Sequence, residues 1–206
     1  MLEMAATGGR VLMLRAVEFA RNHNVPLHVR SSFTWEPGTW VVEEDADMED
    51  AVVTAVTHDT SEAKVTVSGV PDRPGVAAAI FTPLADEGIN VDLVVQNVSH
   101  EGTTDVSFTI AESDLDRARP VLDQIATTVG GARMEATADI AKVSVVGSGI
   151  LGTPGVLARI ARTLAHAGIN IQMISTSEIR VTCIIDGSRV EDAVRALHAA
   201  FELDRI

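Results

Sequence analysis

The sequence contains no tyrosine, and aromatic residues make up only 3% of its 206 positions. Any core must therefore be packed from Val, Ile, Leu and Ala. A single cysteine, Cys183, rules out a disulfide within the chain and fits a reducing compartment. Basic residues are scarce: 16 Lys and Arg stand against 29 Asp and Glu, a net charge of -13. That charge repels phosphate backbones and argues against nucleic acid as a partner. No apolar run reaches the ~18 residues of a membrane span, and the N-terminus lacks the basic-then-apolar layout of an export signal. A soluble, cytoplasmic protein with no membrane partner is expected.

What the sequence does contain is a repeat. Pro74-Gly75-Val76 returns as Pro154-Gly155-Val156, and Gly88-Ile89-Asn90 returns as Gly168-Ile169-Asn170. Both matches need the same offset of 80, and 10 of the 21 aligned positions are identical. Ala63-Lys64-Val65-Thr66-Val67 likewise matches Ala141-Lys142-Val143-Ser144-Val145. A self-similar period found at the outset fixes the architecture as two similar units in tandem. At 206 residues, 46% of them apolar, the chain has room for two small cores and an extension.

Residues 1–22 predict a helix with Leu2, Ala5, Val11, Leu12, Leu14, Val17 and Phe19 on its apolar face, interrupted by Gly8-Gly9. No strand precedes the glycine pair, so it is not read as an anion cradle. Residues 25–31 alternate as a strand, and Pro37-Gly38 turns the chain. Six of the eight residues 43–50 are acidic, which reads as a solvated linker. Their spacing does not match a calcium loop.

Strands are predicted at 52–57 and 63–69. Pro74 is placed in the first turn of a helix whose core face is Val76, Ile80 and Leu84, closed by Gly88. A strand at 89–95 follows, then a turn at His100-Glu101-Gly102 and a strand through Val106, Phe108 and Ile110. Ser113 and Asp116 read as a capping pair for a second helix that ends at Gly130-Gly131, with a further strand at 133–138. The second unit repeats the order: strand 142–146, helix 154–167, strand 169–174, and a strand alternating through Ile179, Val181, Cys183 and Ile185. A capping box at Ser188 and Glu191 opens the last helix.

Each unit thus reads strand–helix–strand–strand–helix, and a split βαβ sheet needs a fourth strand. Residues 133–138 supply it for the first unit. For the second only 52–57 is unclaimed, so the first unit is expected to be inserted into the second. The alternative is that each unit uses the strand directly before it.

A helix N-terminus presents unpaired N–H groups and the positive end of its dipole, which suits a carboxylate. Asp72, just ahead of the helix at Pro74, can take an ammonium group. A free α-amino acid carries both charges. Gln96 and Asn97 on the next strand can bond the backbone of such a ligand or a side-chain hydroxyl. The plainer alternative is that Asp72 caps the helix and Asn97 satisfies a strand edge. Catalytic constellations are poor: no carboxylate is placed beside a nucleophile. His58, His100, His166 and His198 are read as surface residues of a turn or of helix faces, without metal-ligand spacing. Cys183 falls on an inward strand position as a small core residue. No catalytic residue, metal or cofactor is expected.

A βαββαβ unit with Pro-Gly before its first helix and Gly-Ile-Asn after it resembles an ACT domain. Two in tandem, with Gln96-Asn97-Val98-Ser99 in the first and Ile174-Ser175-Thr176-Ser177-Glu178-Ile179 in the second, are similar to the C-terminal half of aspartate kinase. Leu2-Glu3-Met4-Ala5, Gly9-Arg10-Val11-Leu12 and Arg15-Ala16-Val17-Glu18 resemble the last kinase-domain helix of that family, although Met13-Leu14 stands where it usually has His-Pro. No Lys-Phe-Gly-Gly segment is present, so nothing in the sequence holds a nucleotide phosphate. The resemblance therefore implies the separate regulatory (β) subunit and no enzyme activity of its own. The catalytic partner would be aspartate kinase, an ATP-dependent phosphotransferase acting on the aspartate carboxylate.

The fold class implied is α+β: two ferredoxin-like ACT domains, at 63–138 and at 52–58 plus 141–206, after a kinase-docking segment at 1–50. Lysine and/or threonine are the implied effectors, acting by allosteric feedback inhibition, and a homodimer through the ACT domains is implied as well. The implied effector site starts with Asp72, Arg73, Pro74, Gly75, Val76 and Ala77, and adds Asn90, Gln96, Asn97 and Ser99. Asn170, Ile174, Ser175 and Thr176 would face it from the second unit of the partner chain. A free-standing amino-acid sensor with a different partner is the alternative.

Overall fold

The computed structural model describes residues 1–43, 52–97, 102–130, 133–150 and 152–205. The chain divides into two compact units, one of Met1–Asp59, Val143–Cys183 and Val190–Ile206, the other of Thr60–Lys142 with Ile184–Arg189. The acidic run from residue 44 to 50 lies outside the described residues, as do Ser99, His100, Glu101 and Gly131.

The first repeat begins with β4 (Glu62–Pro71), whose Ala63, Val65 and Val67 are buried on one face. It continues through α3 (Val76–Asp86), β5 (Val91–Gln96), β6 (Thr103–Ala111), α4 (Leu115–Thr128) and β7 (Arg133–Thr137). The sheet order is β5-β6-β4-β7. Because β6 runs antiparallel to both β4 and β5, the C-terminal ends of β4 and β5 share one end of the sheet. The core contains no large aromatic stack. Ile80 and Leu84 of α3 and Ala118, Leu122 and Ile125 of α4 meet Val106, Phe108 and Ile110 of β6, and Phe81 meets Phe108 edge-on at 5.4 Å. Each such aliphatic side chain contributes roughly 1.5–3 kcal/mol on burial.

The second repeat comprises β8 (Ile140–Val146), α5 (Val156–His166), β9 (Met173–Ser177), β10 (Arg180–Asp186) and α6 (Val190–Ala200). Its sheet has the order β3-β8-β10-β9, where β3 is Ala55–Asp59. The fourth strand therefore comes from ahead of the first repeat, and the ferredoxin-like α+β class is observed. β8 is buried along its whole length, and its Ser144 hydroxyl pairs with Thr182 at 2.9 Å.

Several local boundaries differ from the sequence reading. The helix expected at 1–22 is two helices, α1 (Leu2–Ala6) and α2 (Leu14–Asn22). Gly8 breaks it, with φ +98, and the Gly9 amide donates back to the Met4 carbonyl at 2.7 Å. This corner lies tight against β3: Thr7 and Thr57 share a buried hydroxyl contact at 2.7 Å, and a Cβ on Gly8 would stand 2.0 Å from the His58 carbonyl oxygen. His58 accordingly sits in a strand, exposed, and not in a turn.

The strand at 25–31 shrinks to β1 (Leu27–Val29), which pairs with an unforeseen β2 (Thr39–Val41) across the Gly38 turn. The strand at 52–57 moves to β3, because residues 52–54 only lead in, tied by the Thr54 amide to the Val146 carbonyl. The strand expected at 169–174 likewise starts later, at Met173. The residues of the two expected capping pairs are engaged differently. Asp114 bonds Arg117 at 2.8 Å and no side chain caps α4, while the Ser188 hydroxyl and amide both donate to Asp186. These bonds, first the hydroxyl and then the amide, hold the Asp186 carboxyl below its ordinary range.

Gly8→Ala combines a left-handed backbone with a collision against main chain, whereas Gly75→Ala meets no atom within 4 Å and carries only the φ penalty. The second substitution is expected to cost about 1–2 kcal/mol. The first is expected to cost more and to loosen residues 1–22 to proteolysis. Thermal melts and limited digestion of both variants check this; equal melting points and equal digestion would remove the close approach as a stabilising feature.

Candidate functional site

β4 delivers Pro71 to the end of the sheet opposite Thr103 of β6, and the Asp72 amide donates to the Gly102 carbonyl at 2.9 Å. A tight turn follows, with the Arg73 amide bonded to the Pro71 carbonyl and the Val76 amide to the Arg73 carbonyl. Gly75 is the N-cap of α3 in the left-handed region, φ +93, so Pro74 lies outside the helix and not in its first turn. An L residue strains at that φ, and glycine does not. No side chain caps α3. The first-turn amides thus keep their electropositive character, and Asp72 does not serve as the cap.

On the other side of β6, Gln96 stands opposite Val106, and the Asn97 carbonyl accepts from the Thr104 hydroxyl. The split βαβ topology therefore brings Asp72, Arg73, Pro74, Gly75 and Ala77 to the same sheet end as Gln96 and Asn97. All seven are exposed, and only Val76 is buried, as the helix's anchor in the core. The set combines a carboxylate, a guanidinium, open helix amides and two carboxamides. Together these can hold the two opposite charges of an amino acid and a polar side chain.

Asn90 is set apart from this sheet end. Asn90 precedes β5 and lies at the strand's opposite end from Gln96, roughly 20 Å away at the rise of an extended chain. It follows the turn at Gly88, which has φ +67 and closes α3. Asn170 has the same relation to β9. Ile174, Ser175 and Thr176 fall on β9, an outer strand of its sheet, with Ile174 and Thr176 exposed. The Gly147 amide donates to the Ile179 carbonyl at 3.0 Å, so the turn that ends β9 and the end of β8 share one end of the sheet. Gly155, φ 98, opens α5 there, again without a side-chain cap.

Sequence reasoning missed one buried charge cluster. In the unit containing Thr60–Lys142, the Lys142 ammonium bonds Glu62 and also Asp92 at 2.7 Å. Burial lowers the pKa of Lys142, but the hydrogen bonds it donates to Asp92 and Glu62, with their charge, outweigh it, and the net shift is upward. Glu62 Oε2 is buried and has no hydrogen-bond partner. No local sequence pattern marks it, because the partners lie 80 and 50 residues from Lys142. Among the described residues no three His, Cys, Asp or Glu side chains are placed to hold a metal ion. Cys183 is buried and its thiol is pushed up to about 12 by desolvation, which removes it as a nucleophile. No helix among the described residues is long and apolar enough to cross a membrane.

Comparison with known proteins finds the ACT domain twice, at residues 65–127 and 143–201. The aspartokinase of Mycolicibacterium smegmatis is 50% identical over 207 residues, covering 98% of this chain and 49% of that protein. The chain thus spans about half the length of the curated relatives it matches. Among solved structures, a chain from a crystal structure of aspartokinase alpha and beta subunits is 46% identical with a TM-score of 0.69, matching 73% of this chain and 99% of its own. The regulatory subunit of aspartate kinase from Thermus thermophilus, in its ligand-free form, is 39% identical with a TM-score of 0.69 over the same shares.

Proposed function

Because the chain belongs to the aspartokinase family, within which it is the tandem ACT-domain regulatory part, we propose that it binds lysine and/or threonine and thereby inhibits a catalytic aspartokinase chain. The observation that carries this reading is the uncapped start of α3 at Gly75, with Asp72 before it and Gln96 and Asn97 at the same sheet end. The amino acid's carboxylate sits on the α3 amides, Asp72 takes the ammonium group, and Gln96 and Asn97 bond the remaining polar atoms. No other cofactor is required.

The chain works in the cytoplasm as a homodimer. Ile174, Ser175 and Thr176 of a second copy close the pocket, so ligand and dimer stabilise one another. The segment at 1–50 docks the regulatory part on the catalytic chain. On its own the protein does not phosphorylate aspartate, since no phosphate-holding glycine-rich lysine segment is present in the sequence.

Reconstitution tests the proposal. Aspartyl phosphate formation by a purified catalytic aspartokinase chain is measured with and without this protein, across a concentration series of lysine, threonine and their mixture. Inhibition that requires both this chain and an amino acid is expected. Inhibition independent of this chain, or turnover of ATP and aspartate by this chain alone, contradicts it.

A further inference from the structure

We infer that Asp105 is a positioning residue for the effector site: its carboxylate holds a bulge in β4 that brings Asp72 to the face of the sheet where α3 begins. This rests on the site reading above and adds the residue that sets its geometry.

Up to Val67, β4 alternates with odd positions inward. Ala63, Val65 and Val67 are fully buried in the core, and Lys64 and Thr66 lie on the other face. Val70 is fully buried as well, so beyond Val67 the inward phase passes from odd to even numbers. The register shows where this happens. Val67 pairs with Val106 and Val70 with Thr104, so Ser68 and Gly69 stand opposite the single residue Asp105. One extra residue on one strand is a β-bulge, and a shift of one residue carries every later side chain to the other face. Pro71 ends β4, and Asp72 is the next even position, on the side of Val70 and of α3, whose Val76 and Ile80 share that core. Without the bulge Asp72 would take the phase of Lys64 and Thr66, away from the α3 amides.

A bulge leaves an amide that the ladder cannot use. Here it is that of Gly69, and Asp105 Oδ1 accepts from it at 2.9 Å. Gly69 has φ +74, and an added Cβ would meet no atom within 4 Å, so backbone handedness and not crowding selects glycine. Asp105 is exposed and belongs to no core, so packing gives no reason for a carboxylate at this position. The second repeat supplies the contrast. Gly152 stands at the position of Asp72, and Gly147 follows Val145 as Gly69 follows Val67. The Gly147 amide, however, donates to main chain, the Ile179 carbonyl. The carboxylate-held bulge accompanies the repeat that carries Asp72.

Asp105→Ala removes the acceptor and Asp105→Asn keeps it. The parent, these two variants, Asp72→Ala, and Asp72→Ala combined with Asp105→Ala are compared as full chains. The rise in melting temperature with threonine and with lysine is recorded over a wide concentration series. Asp105→Ala is expected to weaken binding about tenfold, and Asp105→Asn by less than about threefold. Without ligand both are expected to melt within about 4 °C of the parent, the size of one exposed hydrogen bond. In the Asp72→Ala background, Asp105→Ala is expected to cost less than about twofold more, because the two residues act as one unit. Undiminished binding in Asp105→Ala, an equal loss in Asp105→Asn, or an equal loss with and without Asp72 overturns the proposal and leaves the site reading standing. No binding by the parent, or undiminished binding in Asp72→Ala, removes the site reading and the proposal together.

Discussion

Lys142→Met is expected to lower stability by about 3 kcal/mol, a drop in melting temperature of roughly 6–12 °C for a chain of this size. Lys142 is 6% exposed, and its ammonium offsets two carboxylates, of which Glu62 is nearly buried and Asp92 about half exposed. Removing one partner of a buried ion pair costs about 3–5 kcal/mol because the other charge is left uncompensated. The exposure of Asp92 puts the expectation at the lower end. Glu62 Oε2 already lacks a hydrogen-bond partner, so without Lys142 this carboxylate loses the ammonium that pairs with it. The double variant Lys142→Met with Glu62→Leu is expected to regain most of the loss, since an apolar pair of similar volume avoids the desolvation penalty. Circular-dichroism melts at neutral pH of the three proteins decide it; a single variant within 2 °C of the parent, by about the size of a surface effect, removes the cluster as a stabilising element.

The sign of the pH dependence follows from the same geometry. The folded-state pKa of Lys142 is raised above 10.5, so its contribution is fully present below that value and is lost as pH rises through the folded pKa. The parent is therefore expected to lose this increment only in alkali, and Lys142→Met to show no such alkaline step.

The sheets were legible because their signals are period-2 alternation and a repeat. Val65, Val67, Val106, Phe108 and Ile110 alternate in sequence and point inward together in the structure. The borrowed strand was legible by counting, since one sheet lacked a member and one apolar segment was spare. Lys142 was not legible: its partners are 50 and 80 residues away, and pairing at that separation leaves no local pattern. The break at Gly8 was visible as a glycine pair, but its cause, main chain of β3 against the corner, is tertiary. Asn90 shows the opposite failure. The Gly-Ile-Asn motif repeats clearly, yet it marks the closing turn of α3, a strand's length from Asp72 and the helix start.

The site at Asp72, Gly75 and Gln96 is the central claim, and titration calorimetry tests it most directly. The parent, Asp72→Ala and Gln96→Ala are each titrated with lysine, with threonine and with both. The parent is expected to bind at least one of them with a dissociation constant of about 10–100 μM, or roughly 5.5–7 kcal/mol. Asp72→Ala removes a charge-assisted bond of about 1.5–3 kcal/mol and is expected to weaken binding roughly 10- to 100-fold. Gln96→Ala removes a neutral bond of about 1 kcal/mol, a loss of several-fold. Both side chains are exposed, so the ligand-free variants are expected to melt with the parent. Heat of binding in the parent that falls away in Asp72→Ala is the expected result; no binding of either amino acid, or binding undiminished in both variants, would contradict it.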